Sequence, residues 1–163
     1  MINKVAIDGY RLLDGFQADL RPLTVVIGAN AVGKSTLLDA LQLIAQCLET
    51  PLNTAIGWHF GMHSIQNAAK VDGMIGWRVT FHKPTNLAWG RLPLDDDVEY
   101  CYEVALQTNV QGQAQARYEV LHRASPRSGY ADAFKYLEAT NLRRQIFSRE
   151  KRRLVPFDGR FRV

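Results

Sequence analysis

Two short apolar runs, residues 2–7 and 16–20, open the chain, and the stretch joining them holds Asp8-Gly9 and Asp14-Gly15, each a turn signal. This pattern predicts two strands and a reversal. After Arg21-Pro22, residues 23–27 (Leu-Thr-Val-Val-Ile) are rich in β-branched side chains and barely alternate, as a strand buried on both faces does. Over residues 34–50 the period lengthens. Leu37, Leu38, Leu41, Ile44, Ala45 and Leu48 fall on one helical stripe, and Pro51 closes it by disfavouring helical geometry in the residue before. Gly57, Gly61, Gly73 and Gly76 interrupt residues 51–76, which predicts loops around short elements.

Strict alternation then takes over. Ile75, Trp77, Val79 and Phe81 share one strand face, as do Val98, Tyr100, Tyr102, Val104 and Leu106, and as do Ala116, Tyr118 and Val120. Three strands with one buried and one wet face make an antiparallel meander, with residues 108–115 as its last hairpin loop. Tyr130, Phe134 and Leu137 are spaced for one face of a helix over 130–141, and Pro156-Phe157-Asp158-Gly159 reads as a turn.

Between the buried-strand pattern and the helix stands Gly28-Ala29-Asn30-Ala31-Val32-Gly33-Lys34-Ser35, which has the form G-x-x-x-x-G-K-[ST]. Each fixed position has a mechanical reason. Gly28 and Gly33 allow backbone angles and close approach that a side chain blocks. The loop amides can then surround a β-phosphate, Lys34 can reach the β- and γ-phosphates, and Ser35 offers a hydroxyl to magnesium. The helix starting at Lys34 adds its positive end. A glycine-rich turn that merely contains Gly-Lys-Ser is the bland alternative, and the strand–loop–helix setting argues against it. The motif therefore implies a nucleoside triphosphate, with ATP favoured, and Mg2+ as its companion ion.

Composition narrows the class further. The chain has 163 residues, 47% hydrophobic and 22% charged, which fits one domain, 1–163, with a real core. No apolar run approaches the roughly 18 residues of a membrane helix, and the start resembles no export leader, so a cytoplasmic protein without a membrane partner is expected. The net charge of +4 is uneven, since residues 143–162 hold eight basic and two acidic side chains. A basic stretch of this kind suits a solvated helix face, the blander reading, or a DNA contact. Cys47 and Cys101 form no C-x-x-C unit and read as reduced core thiols. His59 and His63 are four apart, but Gly61 lies between them and no third ligand is near, so a metal site there is disfavoured. Among triphosphate binders, a GTPase needs Asn-Lys-x-Asp, and the Asn3-Lys4 pair continues into Val5-Ala6. A small-molecule kinase fits poorly with the antiparallel strands.

Around the loop the sequence resembles the ATPases of the RecF/SMC/OLD branch of the ABC superfamily, in particular a group of single-chain ATPases carrying an AAA label. The residues that carry the resemblance are Val5-Ala6-Ile7-Asp8-Gly9-Tyr10-Arg11-Leu12-Leu13, then Leu20-Arg21-Pro22-Leu23-Thr24 leading into the loop, Asn30 within it, and Thr36-Leu37-Leu38-Asp39-Ala40-Leu41 after it. The likeness is specific over residues 2–48. Gly9 and Tyr10 depart from the group's usual asparagine and phenylalanine. The resemblance implies an α/β P-loop NTPase fold with α+β elements: an ABC-ATPase-like N-terminal lobe with an antiparallel β subdomain. It divides the chain into strands, loop and first helix (1–50), an antiparallel β region (51–125) and a helical basic tail (126–163). It also implies that Thr36 meets the α-phosphate and that Arg11 lies near the adenine or the phosphates, with a plain surface arginine as the alternative. Tyr10 would stack on adenine or, in the plainer reading, fill core.

ATPases of this branch hydrolyse with parts far along the chain: a strand ending in Asp-Glu, a Leu-Ser-x-Gly signature donated by a partner head, a downstream histidine and a magnesium-contacting glutamine. Leu92-Pro93-Leu94-Asp95-Asp96-Asp97 is a poor central strand because of Pro93 and reads as solvated loop, and Ser125-Pro126-Arg127-Ser128-Gly129 does not match the signature. Gln66 is available for magnesium with nothing local to support it. The chain therefore reads as the N-terminal lobe of a larger ATPase. Lys34 would be the catalytic residue, Gly28, Ala29, Asn30, Ala31, Val32, Gly33, Lys34, Ser35, Thr36 and Arg11 the nucleotide contacts, and Ser35 the magnesium ligand. A completing lobe or a second copy is the expected partner. A non-hydrolysing nucleotide-binding module and a DNA-binding accessory protein remain as alternatives.

Overall fold

The computed structural model describes residues 1–83, 98–126, 128–140, 143–148, 151 and 153–156. Leu92, Pro93, Leu94, the acidic run Asp95–97, Arg127, Asn141 and half of the basic residues of the final stretch, with Phe157-Asp158-Gly159, lie outside the described residues.

Among the described residues eight strands make one antiparallel sheet: β1 (Ile2–Asp8), β2 (Phe16–Asp19), β3 (Ile75–His82), β4 (Glu99–Thr108), β5 (Ala114–Arg123), β6 (Lys135–Thr140), β7 (Arg143–Ser148) and β8 (Arg153–Pro156). Their order across the sheet is β2-β1-β3-β4-β5-β6-β7-β8. The opening hairpin forms as its turn signals require, with Val5 opposite Ala18 and Ile7 opposite Phe16. The segment between β2 and β3 supplies three helices, α1 (Lys34–Glu49), α2 (Leu52–Trp58) and α3 (Met62–Ile65).

One sheet face carries the core. Val5 and Ile7 of β1 sit opposite Val79 and Trp77 of β3, which sit opposite Tyr102 and Val104 of β4. Leu37, Ala40, Leu43 and Ile44 of α1, with Ala55, Ile56, Met62 and Ile65 of the shorter helices, cover that face, and all are buried. An aromatic chain extends the core along the sheet: Tyr100 meets Tyr136 edge-on at 5.4 Å, Phe134 meets Tyr136 at 4.9 Å and Phe147 at 4.6 Å. Such pairs add to area burial through their quadrupoles.

Four expectations are corrected. Residues 23–27 form no strand. They run without a sheet partner among the described residues, and Leu23 and Ile27 are 82% and 87% exposed. A strand exists only by pairing, and β2 is the sheet's edge, with no described strand beyond it. Second, the buried stripe of α1 is rotated from the expected one: Ala40 and Leu43 are inside, while Leu38 is 63% exposed. Third, Tyr118 and Val120 face away from the helices. Their partners in β4 are Ala105 and Glu103, whereas Leu121 lies opposite Tyr102 on the core face. A register shift at Ala105/Leu106 puts Ala116 opposite Leu106, so the three residues do not share one face. Fourth, the helix over 130–141 and the helical basic tail are replaced by β6, β7 and β8. Pairing on both sides of β6 satisfies its backbone, and this outweighs a three-residue helical spacing.

Candidate functional site

Tyr10 and Leu13 bridge each other through Tyr10 N–H to Leu13 O at 2.9 Å and Leu13 N–H to Tyr10 O at 2.7 Å, closing a tight loop after β1. Gly9 initiates it at φ +69°, and a Cβ there would stand 2.1 Å from the Met74 carbonyl oxygen, so the departure to glycine is required by the space. Arg11 follows in the left-handed region, φ 45°, with its N–H on Ile65 O at 2.8 Å. The β1 loop is thereby tied to α3, and the Tyr10 and Arg11 side chains reach α1.

On the other side, residues 28–33 wrap into α1. Ala31 (φ 64°) and Gly33 (φ 98°) both adopt left-handed geometry, and Gly33 is the residue on which the helix starts. No side chain caps α1, and its first turn contains no acidic residue. The backbone amides from Gly33 to Thr36 precede the first intrahelical bond, Leu37 N–H to Gly33 O at 2.9 Å, so they remain available as donors. The ammonium of Lys34 turns back over the loop, donating to Gly28 O at 2.8 Å and to Ala29 O.

Arg11, Ser35, Thr36, Leu38, Asp39 and Gln42 line a depression of about 400 Å3 beside this loop. Arg11, singled out for the nucleotide, thus shares a concavity with Ser35 and Thr36. Its guanidinium is held by the Asp39 carboxylate, Nη1 to Oδ2 at 2.6 Å, and its Nε donates to Ser64 O at 3.3 Å. The Tyr10 hydroxyl donates to the same Oδ2 at 2.5 Å. Burial pushes the Tyr10 hydroxyl's pKa up, and the bond to Asp39 pushes it further, so it stays a donor. Tyr10 is 1% exposed and therefore fills core. Buried His59 closes the network, with Nδ1 3.2 Å from Asp39 Oδ1 and Nε2 2.8 Å from Gln46 Oε1.

Sequence reasoning assigned neither Asp39 nor His59 to such a network. The available signal for Asp39 was its place one helical turn beyond Ser35 and Thr36, on the side that faces the loop. His59 does not share a ligand set with His63, which lies exposed on α3. Gln66, whose Nε2 donates to the Gly73 carbonyl at 2.5 Å and to Thr108 Oγ1 at 3.2 Å, is away from the depression. Cys47 is a free, partly buried thiol packed against the core, and burial pushes it up to about 12.

No helix among the described residues is long and apolar enough to cross a membrane. Comparison with curated proteins finds no match. Among solved structures, one reported under the words "Structural biochemistry of ATP-driven dimerization and DNA stimulated activation of SMC ATPases" aligns with a TM-score of 0.46 and 17% identity, covering 76% of this chain and 72% of that one. The family model of the AAA ATPase domain matches residues 1–86, a span that contains β1, β2, the G-x-x-x-x-G-K-[ST] motif, α1, α2, α3 and β3. The AAA-labelled ATPases to which residues 2–48 pointed are this group, and the chain belongs to the AAA ATPase domain family.

Proposed function

We propose that this chain binds ATP with Mg2+ at residues 28–36 and forms one lobe of an ATPase whose hydrolytic parts come from a completing lobe or a second copy. The observation that carries the reading is the start of α1: uncapped amides, a left-handed Gly33 and one ammonium converge on the same loop beside Arg11. That arrangement is built to receive an anion. A triphosphate competes with the Gly28 and Ala29 carbonyls for Lys34, and wins because a charge-assisted bond to phosphate is stronger than one to a neutral carbonyl. The Ser35 hydroxyl is a hard oxygen donor suited to Mg2+, which would offset charge on the phosphates. Thr36 and Arg11, which line the same depression as Ser35, would supply the remaining phosphate or base contacts.

The sequence holds no Asp-Glu pair, which supports dependence on a partner and equally supports a second reading, a nucleotide-binding module without turnover. One pair of measurements tests both. ATP affinity with Mg2+ should fall by about 100-fold or more in Lys34→Ala, since that residue's loss removes the charge-assisted contacts. The thermal midpoint should hardly move, because the side chain bonds only to loop carbonyls. Equal affinity in the variant would sink the site. Phosphate release that disappears in Lys34→Ala would rule out the second reading.

A further inference from the structure

On the sheet face turned away from the helices, register places three different donor groups together. Cys101 lies opposite His122 across β4 and β5, and Glu103 follows Cys101 on the same face. One donor atom from each, Sγ, Oε and imidazole N, lies within 4.8 Å of the other two. Glu103 Oε1 is the hub, 3.6 Å from Cys101 Sγ and 3.1 Å from His122 Nε2. Tetrahedral zinc with bonds of about 2.0–2.3 Å keeps its ligand atoms roughly 3.3–3.6 Å apart, so the two separations to Glu103 need adjustments of a few tenths of an ångström, and the span from Sγ to the imidazole, within 4.8 Å, closes by a side-chain rotation as the ion enters.

The orientation of the imidazole is a second and independent pointer. His122 Nδ1 lies 2.6 Å from the Arg123 carbonyl oxygen. A carbonyl can only accept, so Nδ1 carries a hydrogen, and the neutral ring presents its Nε2 lone pair to the carboxylate and the thiol. A lone pair aimed at a carboxylate oxygen needs a cation between them, a proton or a metal. An outer N–H held by a backbone carbonyl is the usual support of a metal-bound histidine. Arg78 gives Glu103 a similar support, with Nη2 3.2 Å from Oε2 and Nε 3.0 Å from Oε1; a metal at Oε1 would displace the second contact and keep the first.

We propose that Cys101, Glu103 and His122 bind a zinc-class divalent ion on the sheet face turned away from the helices, with a fourth position left to a water molecule. Sulfur, imidazole and carboxylate are the donor set zinc takes, and three protein ligands leave one site open. Binding replaces three of the ion's bound waters with the protein ligands, releases those waters and the Cys101 proton to solvent, and clips β4 to β5. This cluster is separate from the phosphate loop and makes no demand on it.

The test is titration of the full chain with Co2+, whose bond to a thiolate produces a charge-transfer absorption. The expected result is one equivalent of absorbing Co2+, displaced by Zn2+. Cys101→Ser should abolish the band, and Cys47→Ser should keep it. His122→Gln should weaken binding by more than about 100-fold, beyond the 10–100-fold typical of losing an outer partner. Absence of the band in the unaltered chain overturns the proposal and leaves a hydrogen-bonded imidazole–carboxylate–guanidinium cluster. A band that survives Cys101→Ser overturns it as well.

Discussion

The sheet and the glycine-rich segment leading into α1 follow opposite rules within one chain. From β3 to β5 every strand has a partner on both sides, and the side chains that face the helices are buried against a continuous core. Residues 23–29, as apolar as any of those strands, have no described strand partner and lie exposed to the tip of the loop. The difference teaches that hydrophobicity and β-propensity do not make a strand: a neighbouring backbone does. It also separates stability from function. The residues expected to grip a nucleotide contribute little to the core, which is built from the sheet and the inner faces of the helices.

Substitution should expose that separation most strongly at Tyr100, fully buried between Phe81 and Tyr136. Tyr100→Ala should cost about 3–5 kcal/mol in denaturant unfolding, the range for a buried aromatic. Ile27→Ala should cost under about 0.5 kcal/mol, as exposed positions do. Comparable losses at both would mean that residues 23–27 are packed after all. Hydrogen exchange gives the same contrast without mutation, with slow amides in β3–β5 and fast ones over 23–30. The next largest effect belongs to Gly9→Ala. A side chain at φ +69° meeting the Met74 carbonyl should cost about 2–3 kcal/mol, and an unchanged midpoint would show that the β1 loop is not fixed as described.

Between these extremes lies Asp39, which belongs to both regions. Asp39→Asn removes the charge that holds Arg11 and Tyr10, and about a quarter of that side chain remains exposed to water. A loss of about 1–2 kcal/mol is expected, the scale of bonds to a charged group reduced by partial exposure. ATP affinity should change in the same variant if Arg11 contacts the nucleotide, while a stability loss with unaltered affinity would make Asp39 part of the scaffold alone.

Legibility in the sequence followed the same division. Turn pairs and strict alternation located β1, β2, β3 and β4, because in these elements local pattern and tertiary pairing agree. Residues 34–49 were readable as a helix, although its buried stripe was rotated: Leu38 looks like core by spacing but lies over the depression next to Arg11. The pattern failed where pairing decides. Tyr130, Phe134 and Leu137 have helical spacing, yet the strand is fixed by Tyr136 packing on Tyr100 and by Leu137 lying opposite Leu121, and neither contact is local in sequence. At the site, residues 28–35 carry the form G-x-x-x-x-G-K-[ST] in one short stretch, the kind of signal a sequence displays. Asp39 and His59 were not legible, since a network that joins residues 10, 11, 39, 46 and 59 leaves no short motif.

The smallest expected effect tests the seam between the two regions. Lys70, in the connection before β3, pairs with Asp8 at the end of β1 and lies 3.5 Å from Asp14. The hydrogen bond from Lys70, against an opposing effect of burial and with help from the Gly15 amide, holds the Asp8 carboxyl below its ordinary 3.8. A depressed folded value means that this contribution is complete above the unfolded pKa and disappears as pH falls through the lower, folded one. Asp8 is half exposed, so water screens the pair and about 0.5 kcal/mol is the expected size. Lys70→Met should therefore be slightly less stable than the unaltered chain at pH 6, and the two should converge well below pH 3.8, where Asp8 is protonated in both. A gap that persists at low pH would assign the loss to packing of the Lys70 stem over Gly9, where Lys70 Cδ lies so close that an added Cβ would stand 3.0 Å from it, and would place the seam's stability in contact area instead of charge.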